Sequence, residues 1–145
     1  MPMPDTTYDG LAITSDPPFG ASVIVFRRAG GAIEFLLLHR AERGPDYAGD
    51  WAWTPPAGAR WPGEHPDEGA RRELEEETGL TLPLRRAGQA TANWLIYIAE
   101  APFAAAVTLD AEHDRYAWLS AQEACARCAP DEVAAQIRLV ARELG

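Results

Sequence analysis

Residues 58–80 read GARWPGEHPDEGARRELEEETGL. The second half of this stretch predicts a helix over Pro66 to Thr78. Pro66 suits a first helical position, Asp67 and Glu68 put negative charge at the positive N-terminal end, and Gly79 can adopt the left-handed conformation that closes a helix. Glu73, Glu76 and Glu77 then stand at i, i+3 and i+4 and project from one side, while Glu75 points elsewhere. Like charges so placed repel, each adjacent pair costing about 0.2–0.5 kcal/mol on an exposed helix. A solvated acidic face is the commonplace reading of such a pattern. Arg72, one turn before Glu76 and able to reach back to Glu68, offsets part of the repulsion. A divalent cation would offset more, since hard ions favour clustered oxygen ligands.

Outward from this helix the chain alternates strands and helices. Ala21 to Arg28 and Ile33 to Arg40 are apolar, β-branched runs separated by Ala29, Gly30 and Gly31, which predicts a hairpin. Glu42 to Asp50 is polar and glycine-rich and reads as a loop. Trp51 to Pro56 is expected to be extended, because Pro55 and Pro56 exclude a helix. After the helix, Ala92 to Ala99 and Arg115 to Leu119 read as strands, and Phe103 to Leu109 as a weaker one. Ser120 and Glu123 form a capping-box pattern opening a second helix. Val133, Ile137, Val140 and Leu144 line one face of a last helix, with Asp131 as its expected cap. The interleaving predicts a mixed α/β domain. Residues 1–19, rich in Pro, Asp and Thr, are expected to form an arm that precedes a single domain over residues 20–145.

Composition narrows the function. The 145 residues are 47% hydrophobic and 24% charged, the balance of a globular domain. The formal charge is −9, and all 13 basic residues are arginines. A chain so acidic lacks the basic surface on which long nucleic acids bind. An acidic protein that handles phosphates needs positive charge from elsewhere, and divalent metal is the usual source. The apolar runs Val23 to Phe26 and Leu36 to Leu38 are far shorter than the roughly 20 residues of a membrane span. Residues 1–20 carry no basic start or apolar segment, so a cytoplasmic location is expected. Cys125 and Cys128 read as free thiols, being half of a tetrahedral zinc site.

Nine specified positions of residues 58–80 match the pattern Gly, five residues, Glu, seven residues, Arg-Glu-apolar-x-Glu-Glu-x-Gly-apolar, carried here by Gly58, Glu64, Arg72, Glu73, Leu74, Glu76, Glu77, Gly79 and Leu80. The chain thereby resembles the Nudix hydrolases. The resemblance implies an α/β/α sandwich with a mixed central sheet and a loop-helix-loop catalytic segment. It implies metal-dependent cleavage of a phosphoanhydride in a nucleoside-diphosphate-linked small molecule, with Mg2+ or Mn2+ as cofactor. Carried over position by position, Glu73, Glu76 and Glu77 would be metal ligands and Gly58 would offer its backbone carbonyl. Arg72 would orient a ligating glutamate, and Glu64 would hold the loop. The general base would come from the box, as Glu76 or Glu77, or from a later loop, where Glu112 is the candidate. His113 beside it reads as structural or solvent-exposed.

Further stretches resemble the asymmetrical diadenosine tetraphosphate hydrolase branch of that family: Ile33 to Leu38, Trp53-Thr54-Pro55-Pro56-x-Gly58, Glu112-His113-Asp114-x-Tyr116-x-Trp118-Leu119 and Glu123-Ala124-Cys125. The chain departs from that branch at Ala57, where the branch carries a lysine, and in a short interval from Gly88 to Trp94. A dinucleoside polyphosphate is the expected substrate, with a nucleoside triphosphate or an ADP-ribose-like nucleotide sugar as the alternative. Arg40 and Arg60 are candidates for phosphate contacts, and Trp53 and Trp94 for base stacking. Each also has an ordinary reading as a surface cation or packing residue. A monomer and a homodimer are equally compatible with the sequence.

Overall fold

In a computed structural model the described residues are 13–88 and 93–145. The expected arm therefore lies largely outside the described residues, and so does the expected strand start at Ala92. The first two strands, β1 (Gly20–Ala29) and β2 (Ala32–Arg40), pair antiparallel in the register Phe26↔Phe35 to Ala29↔Ala32. Gly30 and Gly31 form the two-residue turn between them, with φ of 57° and 88°. Positive φ at both central residues is what a tight hairpin turn demands, and glycine supplies it without steric cost.

Two short strands follow, β3 (Trp53–Thr54) and β4 (Ala57–Ala59), then helix α1 (Pro66–Thr78), strand β5 (Arg85–Arg86), strands β6 (Trp94–Glu100) and β7 (His113–Leu119), and helices α2 (Ala121–Arg127) and α3 (Asp131–Leu144). One mixed sheet runs β3-β2-β1-β6-β5, with β4 added to β1 and β7 to β2. The β1–β6 pair is parallel and the other pairs are antiparallel.

Both faces of the sheet are covered. Ile24, Phe26, Phe35 and Leu37 pack with Val133, Ile137 and Val140 of α3 and Ala124 of α2, whereas Val23, Val25, Leu36 and Leu38 pack with Ala70 and Leu74 of α1. Residues at i and i+2 share a face, so β1 and β2 need an unbroken apolar run to serve both layers. The result is the expected α/β/α sandwich.

Three local expectations need correction. Phe103 to Leu109 is not a strand: Thr108 N–H donates to the Thr78 carbonyl at 2.8 Å, and Ala105, Val107 and Leu109 pack against the α1 layer. The segment closes off the end of α1 and adds nothing to a sheet edge. Asp131 is not the cap of α3 but its first residue. The N-cap is Pro130, without a side-chain cap, and the Asp131 carboxylate takes the Arg138 guanidinium at 3.0–3.1 Å. Pro130 is extended, at φ −67° and ψ 176°, and leads straight into helical geometry one residue early. Trp51, expected to be extended, sits at φ 65°.

Candidate active site

Helix α1 begins where the Asp67 N–H donates to the His65 ring at 3.1 Å, with Pro66 at the first position, and ends at Gly79, whose φ is 73°. It packs on the sheet through Ala70 and Leu74, which fixes the direction of the side chains one turn either side of Leu74. Glu77 is turned inward and is 5% exposed. The Glu73 side chain is 13% exposed and that of Glu76 is 49% exposed at the rim.

Glu73 lies against the backbone of Gly58. A Cβ at Gly58 would fall 2.0 Å from the Glu73 carboxyl carbon, so only glycine permits this approach. Strand β4 holds Gly58 there by pairing it with Ala21 of β1. The Ala57 N–H donates to Glu77 Oε1 at 3.2 Å.

Arg72 organises the rim. Its Nε and Nη2 donate to the two oxygens of Glu64 at 2.8 and 3.0 Å, Nη1 donates to Glu73 at 2.8 Å and to Glu76 at 3.3 Å, and Nη2 also reaches the Ala59 carbonyl at 3.0 Å. The Trp61 ring covers the guanidinium, 3.7 Å from its centroid. Glu64, in turn, accepts the Trp61 N–H at 3.1 Å. Arg72 therefore turns to Glu64 rather than to Glu68, and Glu64 ties the loop to the helix, as expected. A planar five-donor fork meeting three carboxylates is a strong, geometrically specific arrangement.

The electrostatics of the two inward carboxylates run opposite to those of Glu64. Burial pushes the Glu73 carboxyl up to about 7 despite Arg72. Burial, and then the neighbouring Glu73 charge, push Glu77 well above the ordinary carboxylate range, and the charge of Glu112 adds to that shift. Glu64 also suffers burial, but the hydrogen bonds from Arg72 and Trp61 outweigh it and hold its carboxyl low. Two acids crowded together in a dry pocket, with a third close enough to be felt, suit a bound cation. The donor set is all hard oxygen, which fits a magnesium- or manganese-type ion.

Glu112 comes from the segment before β7. With Arg40, Ala41, Glu42 and Ala111 it lines a cleft of about 280 Å³. The sequence reading missed a neighbour: Asp110 Oδ1 accepts from His113 Nδ1 at 2.8 Å, and the ligand atoms of Asp110, Glu112 and His113 all lie within 4.8 Å of one another. Among the described residues this is the one trio of acid or histidine side chains drawn so closely together, whereas Arg72 stands between Glu73 and Glu76. The spacing Asp110-x-Glu112-His113 was the available signal. His113 is buried, which pulls its ring below the usual histidine range.

The remaining expected contacts fall in different places. Arg40 is exposed at the end of β2, on the cleft. Arg60 spends its donors on backbone, reaching the carbonyls of Pro18 at 2.9 Å, Glu64 at 2.5 Å and Asp16 at 2.8 Å. It thus straps the described part of the N-terminal segment to the loop before α1. Trp53 is 8% exposed and lies in the core under α2 and α3, on the sheet face away from α1, with the Arg115 and Arg127 guanidiniums over its ring. Trp94 donates from its indole N–H to Ser22 Oγ at 3.0 Å, and its ring crowds the backbone of Gly20.

Comparison with known proteins identifies the family. The NUDIX domain profile matches residues 16–144. The mouse bis(5'-nucleosyl)-tetraphosphatase [asymmetrical] is 32% identical over 124 residues, which cover 71% of this chain and 79% of that one. A Myxococcus xanthus octanoyltransferase is 33% identical over 135 residues, 84% of this chain, and this chain spans 36% of that longer protein. The C. elegans Ap4A hydrolase in a binary complex superposes with a TM-score of 0.71 at 26% identity, covering 86% of this chain and 96% of that one. The chain belongs to the Nudix family, whose members are divalent-metal-dependent hydrolases of phosphoanhydride bonds in nucleotide substrates.

Proposed function

We propose that this Nudix hydrolase acts in the cytoplasm on a dinucleoside polyphosphate, splitting it asymmetrically into a mononucleotide and a nucleoside triphosphate. The observation that carries hydrolysis is the inward Glu73–Glu77 pair beside Gly58, and the choice of a dinucleoside polyphosphate is supported by the likeness to asymmetrical tetraphosphatases. Glu73, Glu76, Glu77 and the Gly58 carbonyl would hold Mg2+, with Mn2+ able to replace it. Bound there, the cation neutralises phosphate oxygens and lowers the barrier to attack by water.

The chain's own groups do the rest. Arg72 keeps Glu73 and Glu76 in register by donating to both. Glu112 is the general base that takes the proton of the attacking water. The new P–O bond forms from that water, and the bridging oxygen leaves with the other nucleotide fragment. Arg40, on the same cleft as Glu112, grips the phosphate chain. Arg60, Trp53 and Trp94 serve by fixing the loop and the sheet around the site, since each is already held by protein groups.

A second reading is favoured by Ala57, which offers Glu77 an N–H but brings no cation toward a phosphate chain. A shorter substrate, a nucleoside triphosphate or an ADP-ribose-like sugar, would need fewer such contacts. Incubation with magnesium and chromatography of the products separates the two. AMP plus ATP from diadenosine tetraphosphate supports the first; pyrophosphate from a triphosphate, or AMP from ADP-ribose, with the tetraphosphate left intact, replaces it with the second.

A further inference from the structure

The end of β2 carries a histidine to which neither the metal nor the substrate assignment gives a task. His39 is 0% exposed. Its Nδ1 lies 2.7 Å from Asp114 Oδ1, and its Nε2 lies 2.7 Å from the Tyr47 carbonyl oxygen. The Trp53 ring meets it edge-on, with centroids 5.0 Å apart. A carbonyl oxygen only accepts, so Nε2 carries the hydrogen of the Tyr47 contact, and one further proton bridges Nδ1 and Asp114. Three segments that are distant in sequence thus meet on one ring: the end of β2, the loop before β3 and the start of β7.

The pairing of β2 with β7 explains why Asp114 is available. The ladder runs from Phe35↔Leu119 to His39↔Arg115, then jumps to Arg40↔His113. Asp114 is the extra residue of this irregularity, and its side chain is turned to His39. Such bulges re-aim a side chain and fix the strand locally. Glu112 stands two residues before Asp114. Its carbonyl accepts the Ala41 N–H at 2.9 Å, and its side chain lines the cleft with Arg40.

We propose that His39 and Asp114 form a buried clamp that sets where Glu112 stands on the cleft beside Arg40, making both of them positioning residues of the hydrolysis. The catalytic half of this inference rests on Glu112 being the base. The clamp itself rests only on the geometry of His39, Asp114 and Tyr47. A carboxyl group that must meet a water within a few tenths of an ångström needs such second-layer support.

The test compares Asp114→Ala, Asp114→Asn and Glu112→Gln in the full chain with magnesium, reading kcat, KM and the hydrogen-exchange rate of the Ala41 amide. Asp114→Ala is expected to speed Ala41 exchange about tenfold or more and to lower kcat about tenfold or more, with KM within about threefold of the parent. Asp114→Asn is expected to restore most of both values, because its side-chain N–H can donate to Nδ1 while Nε2 still donates to Tyr47. Unchanged Ala41 exchange in Asp114→Ala overturns the clamp, and so does an equal loss in Asp114→Ala and Asp114→Asn. Faster exchange in Asp114→Ala alongside parental turnover in Glu112→Gln supports the clamp and overturns the assignment of Glu112 as base.

Discussion

The two faces of the sheet are built for different ends. Under α2 and α3 the middle of the layer is apolar, with Ile24, Phe26, Phe35, Leu37, Val133, Ile137 and Val140 each 4% exposed or less, and the polar His39–Asp114 pair stands at its edge beside Trp53. Under α1 the same strands contribute Val23, Val25, Leu36 and Leu38, but α1 adds Glu73 and Glu77 to the buried margin of that layer. Hydrophobic burial stabilises both layers, but the second also crowds two carboxyl groups where their ionised forms are disfavoured unless a cation joins them. One face holds the fold together; the other spends part of that stability on a place where a cation is welcome.

The largest effect that could break this contrast is on turnover. Glu77→Gln removes an ionisable carboxyl that a cation would draw on, while keeping an oxygen to accept the Ala57 N–H. It is expected to lower kcat by about 10³-fold, equivalent to about 4 kcal/mol of barrier. Thermal unfolding of the metal-free protein should not fall, since burial already disfavours the ionised form of Glu77 and the neutral amide replaces it. Parental turnover in this variant would mean that the buried acids serve no cation.

Ile137→Ala probes the opposite face. Ile137 is 0% exposed in the α3 layer, so truncation leaves a cavity and should cost about 2–5 kcal/mol in denaturant unfolding. Turnover per folded molecule should stay near the parent value. A large loss of kcat without a loss of stability would show that the two faces are not separable.

Much of this division was legible in the sequence, for identifiable reasons. The α1 boundaries follow from Pro66 and Gly79, whose backbone preferences are local. The hairpin follows from Gly30-Gly31, and the two-sided burial from the unbroken apolar runs on either side. What was hidden depends on partners far along the chain. Whether Trp53 faces the cleft or the core is decided by which side of β3 meets α2 and α3, and two residues of strand carry no periodicity to read. The burial of Arg72 against Trp61 and Glu64 depends on how the loop folds back over the helix, and Asp110 joins Glu112 and His113 through a turn of the chain that composition does not announce.

The charged face should also respond to pH, and the sign is set by Glu73. Its carboxyl is raised to about 7 from an ordinary value of 4.5, so the folded metal-free state holds this proton more tightly than the unfolded chain does. The contribution is fully present below about pH 4.5 and is lost as pH rises through about 7. A cation competes with the same proton, so the stabilisation by magnesium should grow over that interval, towards about 2.7 kcal/mol at a hundredfold excess over Kd. Differential scanning with and without magnesium at about pH 5 and about pH 8 reads this directly. A magnesium shift that is equal at both pH values would place the ion away from Glu73 and Glu77.

The smallest expected effects sharpen the account of the apolar face, where two helix starts that read alike in sequence differ in structure. Ser120 caps α2 through a reciprocal box: its hydroxyl accepts the Glu123 N–H at 3.1 Å while Glu123 Oε1 accepts the Ser120 N–H at 3.3 Å. Asp131 sits inside the first turn of α3, its side chain 83% exposed and paired with Arg138. Ser120→Ala strips a backbone N–H of its partner and should cost about 1 kcal/mol. Asp131→Ala removes an exposed ion pair and a modest dipole interaction, and should cost about 0.5 kcal/mol or less, shrinking further in high salt. If Asp131→Ala proved as costly as Ser120→Ala and insensitive to salt, the start of α3 would be held by that carboxylate as a cap, and the position of Pro130 ahead of it would no longer account for where the helix begins.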